Sequence, residues 1–175
     1  MASIELSPLT SQFDKNDIKA LERALAESGS SPLDIDEDAD SQLLERDVDD
    51  DLLAELFDRL DINDAACDVY VPPDFEDSIS VGDHTVGSAH ALLLALQELG
   101  EELGAAADDD TDFEEDEDYE EDGEDYEEDD DADEEDSYAL RDQELRRICK
   151  VLQNGAKLSI RRGVAMFVHT GRQRR

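Results

Sequence analysis

Residues 108–136 hold 23 Asp and Glu in 29 positions, with no Lys or Arg among them. The six other residues are Thr111, Phe113, Tyr119, Gly123, Tyr126 and Ala132. Carboxylates at that density repel one another at any compact spacing, and six other residues bury too little apolar surface to offset the entropy of ordering the chain. The segment is expected to be a disordered, solvated insertion, so a fold must come from its flanks.

Those flanks differ in sign. Residues 1–107 carry −22, the acidic segment −23 and residues 137–175 carry +8, within a net charge of −37 over 175 residues. The cations of the last block are Arg141, Arg146, Arg147, Lys150, Lys157, Arg161, Arg162, Arg172, Arg174 and Arg175, opposed by Asp142 and Glu144 alone. A general adaptation to high salt would explain abundant acids and only four Lys, but it does not place a cationic end beside an anionic middle. The chain divides into a unit over 1–106, an acidic linker over 107–136 and a basic amphipathic element over 137–175. The last is short of the length at which isolated domains stand alone, which favours its docking on the first.

Hydrophobic spacing supplies the elements. Ser11 and Asp14 resemble a capping box, and Ile18, Leu21 and Leu25 then recur at helical spacing, which predicts a helix over 14–28. Leu53, Leu56, Phe57 and Leu60 predict a second over 48–60, its start marked by Asp49, Asp50 and Asp51. Asp68–Val71 reads as a short strand ended by Pro72 and Pro73. Ile79 and Val81, turning at Gly82-Asp83 into His84–Val86, read as a small hairpin. A third helix over 86–103 is apolar around most of its circumference and is placed at the domain centre. Leu145, Ile148, Cys149 and Leu152 give a basic amphipathic helix stopped at Asn154-Gly155. Lys157–Thr170 reads as a hairpin, with a helix as the alternative. The expected fold is an α+β, helix-dominated small domain with a long disordered acidic insertion and a basic helix-plus-hairpin C-terminal element.

Several function classes lose support. The longest apolar stretch, Ala89–Leu96 around His90, is far below the roughly 20 residues of a bilayer-spanning helix, so no membrane partner is expected. The first ten residues have neither a cationic start nor an apolar core, which points to a cytoplasmic protein. Cys67 and Cys149 stand alone, without metal-ligand or disulfide spacing. His84, His90 and His169 are scattered, and no phosphate-binding, hydrolase or metalloprotease motif is present, so a non-enzyme without cofactor is expected. One metal pattern remains: Asp34, Asp36, Asp38, Asp40 and Glu45 occupy EF-hand-like loop positions. Ala39 stands where such a loop needs Gly and Ser41 where it needs an apolar residue. No resident metal is expected on balance.

The charge pattern therefore carries the functional expectation: a polyanionic surface that captures or masks a basic macromolecule, such as a nucleic-acid-binding protein or a cationic toxin. Its contact residues are Asp108, Asp109, Asp110, Glu114, Glu115, Asp116, Glu117, Asp118, Tyr119, Glu120, Glu121, Asp122, Glu124, Asp125, Tyr126, Glu127, Glu128, Asp129, Asp130 and Asp131, the two tyrosines offering apolar or stacking anchors. The alternative is binding of nucleic acid or another anionic partner by Arg146, Arg147, Lys150, Arg161, Arg162, Arg172, Arg174 and Arg175, autoinhibited by the acids that precede them. The bland alternative to both is an inert, solvated spacer.

Overall fold

The computed structural model describes residues 1–33, 38–60, 67–104 and 133–171, with side chains of the last segment described from 137 onward. Six strands form one sheet: β1 (Ala2–Ser7), β2 (Gln42–Val48), β3 (Val69–Val71), β4 (Ile79–Val81), β5 (His84–Ser88) and β6 (Ala165–His169). Their order is β2-β1-β6-β3-β5-β4, antiparallel throughout except for β3 against β5. The helices are α1 (Lys15–Glu27), α2 (Asp50–Arg59), α3 (Ala89–Glu102) and α4 (Asp133–Arg162), with a short 3-10 turn at Leu9–Ser11.

The period-2 alternation of β1 sends Ala2, Ile4 and Leu6 to one face of the sheet, where they join Leu53 and Leu56 of α2, Leu92 and Leu96 of α3, and Leu145, Ile148 and Leu152 of α4. Leu21 and Leu25 of α1 cover part of the other face over Val69, Val71, Val86 and Phe167. With helices on both faces, β6 is buried on both, which is why Ala165–Val168 is an unbroken apolar run. The C-terminal segment thus supplies the third strand of the sheet, between β1 and β3.

The α1, α2 and β4–β5 hairpin expectations agree closely with the structure. Asp14 itself caps α1, its Oδ1 accepting from the amides of Asn16 at 2.8 Å and Asp17 at 2.9 Å; Ser11 lies in the 3-10 turn. Gly82 takes φ +58° at the hairpin turn, the left-handed conformation that favours glycine there.

Other expectations are corrected. Residues 86–88 finish β5, so α3 starts later, at Ala89. It packs on one face rather than at the centre, leaving Leu94 64% exposed; β6 and β3 hold the middle of the sheet. The Asn154-Gly155 stop does not operate, because α4 runs on to Arg162 with Gly155 turned onto the sheet. Its extension consumes Lys157–Arg162, the first arm of the expected hairpin, and only the second arm is a strand. At its other end α4 takes in Asp133–Asp136, assigned above to the linker. Strands β1 and β2 were not anticipated. The remaining acidic residues of the insertion lie outside the described residues. No helix among the described residues is long and apolar enough to cross a membrane.

Candidate charged surface on the long helix

Every third or fourth residue of α4 faces the sheet: Leu145, Ile148, Cys149, Leu152, Ala156 and Ser159 are buried. At about 100° per residue, Arg146, Lys157, Lys150 and Arg161 then fall within about 60° of one another on the opposite, exposed side. The stripe rises about 22 Å along the helix. No acid among the described residues comes within ion-pairing distance of these four.

The neighbouring cations are engaged. Arg141 Nε donates to Glu55 Oε2 at 2.9 Å, and Arg59 Nη2 lies 2.5 Å from Glu55 Oε1, joining α4 to α2. The Arg141 hydrogen bond, offset in part by burial and reinforced by Arg59, holds the Glu55 carboxyl below its ordinary range. Arg147 bridges Glu144 and Glu45, each at 3.0 Å, joining α4 to β2, and its own pKa is raised above the ordinary value, first by Glu144. Arg162 Nη1 donates to Gln42 Oε1 at 2.6 Å. Of the predicted cationic site, then, Arg146, Lys150 and Arg161 share the open stripe with Lys157, while Arg147 and Arg162 serve as braces to β2. Arg172, Arg174 and Arg175 lie outside the described residues, as do all twenty predicted contact residues from Asp108 to Asp131.

α3 and α4 run antiparallel. Gln153 Nε2 donates to the Leu96 carbonyl at 2.8 Å, while the Arg146 guanidinium lies beside Gly104, just past the end of α3. The acidic segment leaves the described fold at Gly104 and rejoins it at Asp133, the start of the helix bearing the stripe.

Glu45, the last position of the calcium-like spacing, sits on β2 in its pair with Arg147, and a strand stands where an EF-hand needs its exiting helix. Asp34 and Asp36 lie outside the described residues. Among the described residues, no three His, Cys, Asp or Glu form a metal-ligand cluster. One pair escaped sequence reasoning: His169 Nε2 lies 3.1 Å from Glu5 Oε1 and 3.2 Å from Gln12 Nε2, in a cleft of about 530 Å³. Nothing in the sequence marks it, since β1 and β6 meet across nearly the whole chain.

No family model, curated protein or solved structure matches this chain.

Proposed function

We propose that this is a non-enzymatic binding protein whose carboxylate-rich segment, Asp108–Asp131, captures or masks a basic macromolecule, such as a nucleic-acid-binding protein or a cationic toxin. One observation carries the reading: the charge cannot be balanced from within. All 15 Lys and Arg of the chain together are fewer than the 23 carboxylates of residues 108–136, and Arg141 and Arg147 are already paired with Glu55, Glu45 and Glu144. A fully extended chain of this composition, at about 3.4 Å per residue, would carry a negative charge roughly every 4 Å, near the spacing of phosphates along one DNA strand. Such a polyanion competes for surfaces built to bind nucleic acid, and the force is ionic, so it weakens steeply with salt.

The test is binding of the full chain to poly-lysine at about 50 and 200 mM salt, beside a variant whose acids from 108 to 131 are replaced by Asn and Gln. The reading expects an affinity drop of about tenfold or more between the two salts, and loss of most binding in the neutral variant. Equal binding by both proteins would defeat it.

The stripe on α4, unpaired among the described residues, favours a second, linked reading. In it, Arg146, Lys150 and Arg161 form an anion-binding surface that the preceding acids mask, at an effective concentration in the mM range set by the short tether. Under this reading the neutral variant gains affinity for a single-stranded oligonucleotide as it loses affinity for poly-lysine.

A further inference from the structure

A cleft of about 670 Å³ lies where the last turn of α4 meets the first turn of α3, lined by Arg161, Arg162, His90, Asp74, Pro72 and Pro73 among others. We propose that it binds a phosphate monoester whose organic part carries hydrogen-bond donors, a ligand of nucleoside-monophosphate size. The volume falls within the range of small-molecule sites.

Its walls are fixed. The Ser88 hydroxyl, 4% exposed, donates to the Pro73 carbonyl at 2.8 Å and so ties the proline loop to the cap of α3. Gly163, at φ +68°, ends α4 directly behind the arginines, its amide donating to the Ser159 carbonyl at 3.0 Å. The arginines therefore stand at a defined helix end, opposite a proline wall with little conformational freedom.

The charges select an anion. The N-terminus of α3 and the C-terminus of α4 meet at the cleft with dipole ends of opposite sign, which largely cancel. The two guanidinium groups decide the balance. Arg161 has no acid partner among the described residues, and Arg162 bonds the neutral amide of Gln42, so no described acid neutralises either charge. Guanidinium suits phosphate oxygens because its fork of donors matches their geometry. Asp74, the one carboxylate among the described residues of the cleft, suits a hydroxyl or amino donor, and the proline rings offer an apolar surface for a flat organic body. A phosphate alone would leave that half of the cleft without a role.

The competing account is structural: arginines in a last turn offset the helix dipole and need no ligand. Titration calorimetry of the full chain at about 50 mM NaCl, with AMP, inorganic phosphate and adenosine as probes, separates the two. The proposal expects saturable AMP binding, with phosphate and adenosine each weaker by about tenfold, or 1.4 kcal/mol. The Arg161→Gln/Arg162→Gln variant should lose AMP affinity by at least about tenfold. Lys15→Gln/Lys19→Gln, at exposed positions of α1 that do not line the cleft, should stay within about twofold, the effect of screened charge alone. Asp74→Asn should weaken AMP without weakening phosphate, a readout that holds even if the double arginine variant fails to fold. No saturation by AMP up to about 10 mM, equal binding by the Arg161/Arg162 variant, or an equal loss in the Lys15/Lys19 variant would overturn the proposal.

Discussion

Gly155, in the last third of α4, packs directly against Met166 of β6. A Cβ at this glycine would run into the Met166 thioether and stand 2.9 Å from Leu44 Cδ1. The missing side chain is what lets the helix lie on the sheet, so a residue that resembles a helix stop in the sequence is a contact point in the fold. Replacing it with Ala gains up to about 1 kcal/mol of helix propensity. Overpacking a closed core costs about 1–3 kcal/mol, and Met166 is fully buried. The second effect wins, and Gly155→Ala is expected to be less stable by about 1 kcal/mol, net of both terms. A lower urea midpoint at unchanged slope would show it; a higher midpoint would mean that the Met166 and Leu44 side chains move aside at little cost.

Glu55 predicts the acid limb of stability. Its carboxyl titrates lower in the folded protein than its ordinary value of 4.5, because Arg141 and Arg59 donate to it. A depressed folded pKa gives stabilisation that is fully present above the unfolded value and disappears as pH falls through the folded one. Glu55→Gln should therefore flatten the decline of stability with acid from about pH 5 downward. Urea midpoints measured across that range check it, and parallel curves for the two proteins would refute it.

How much of this was legible in the sequence depends on whether a segment's signal is local. Leu21 and Leu25 of α1, Leu53 and Leu56 of α2, and the Gly82-Asp83 turn between β4 and β5 are set by neighbours a few residues away, and their spacing identifies them. β1 is set by partners far along the chain. Its alternation of Ala2, Ile4 and Leu6 with Ser3 and Glu5 is present in the sequence, but nothing local shows that both β2 and β6 flank it. β2 gives no clean alternation because its pairing with β1 shifts register twice and Asp47 takes φ 60°. The stripe on α4 was half legible. Its cations were evident from composition, but that Arg147 and Arg162 brace β2 while Arg146, Lys150, Lys157 and Arg161 meet no described acid depends on contacts that only the fold creates.

The two cysteines should report unfolding. Both are buried, and burial pushes the Cys149 thiol up to about 11, from an ordinary 9.0. The thiolate is the reactive form, so the folded protein should react slowly with a disulfide reagent near pH 8 and rapidly in denaturant. The sign of the pH effect follows from the raised value. Stabilisation is intact below the unfolded pKa and falls as pH climbs from about 9 toward about 11, where the unfolded chain ionises and the folded one does not. Fast labelling of native protein at rates independent of denaturant would contradict this.

The last prediction separates the two kinds of cation on α4. Arg146, Lys150 and Lys157 are exposed and unpaired among the described residues, so converting all three to Gln removes charge and little else. Stability should stay within about 0.5 kcal/mol per site, the usual range for surface substitutions away from specific contacts. Arg147→Gln differs, because it releases Glu144 and Glu45 and with Glu45 one of the links from α4 to β2. Exposed pairs of this kind contribute about 0.2–1 kcal/mol each, and the loss should shrink in high salt as screening weakens the native pair. The binding results should rank the other way. Placed in the background whose acidic segment is neutral, the triple substitution should remove most oligonucleotide binding, while Arg147→Gln, whose charge is already engaged, should remove less. Stability measured in low and high salt beside oligonucleotide affinity decides it. If Arg147→Gln lowered affinity as far as the triple substitution, the open stripe would not be the anion-binding surface.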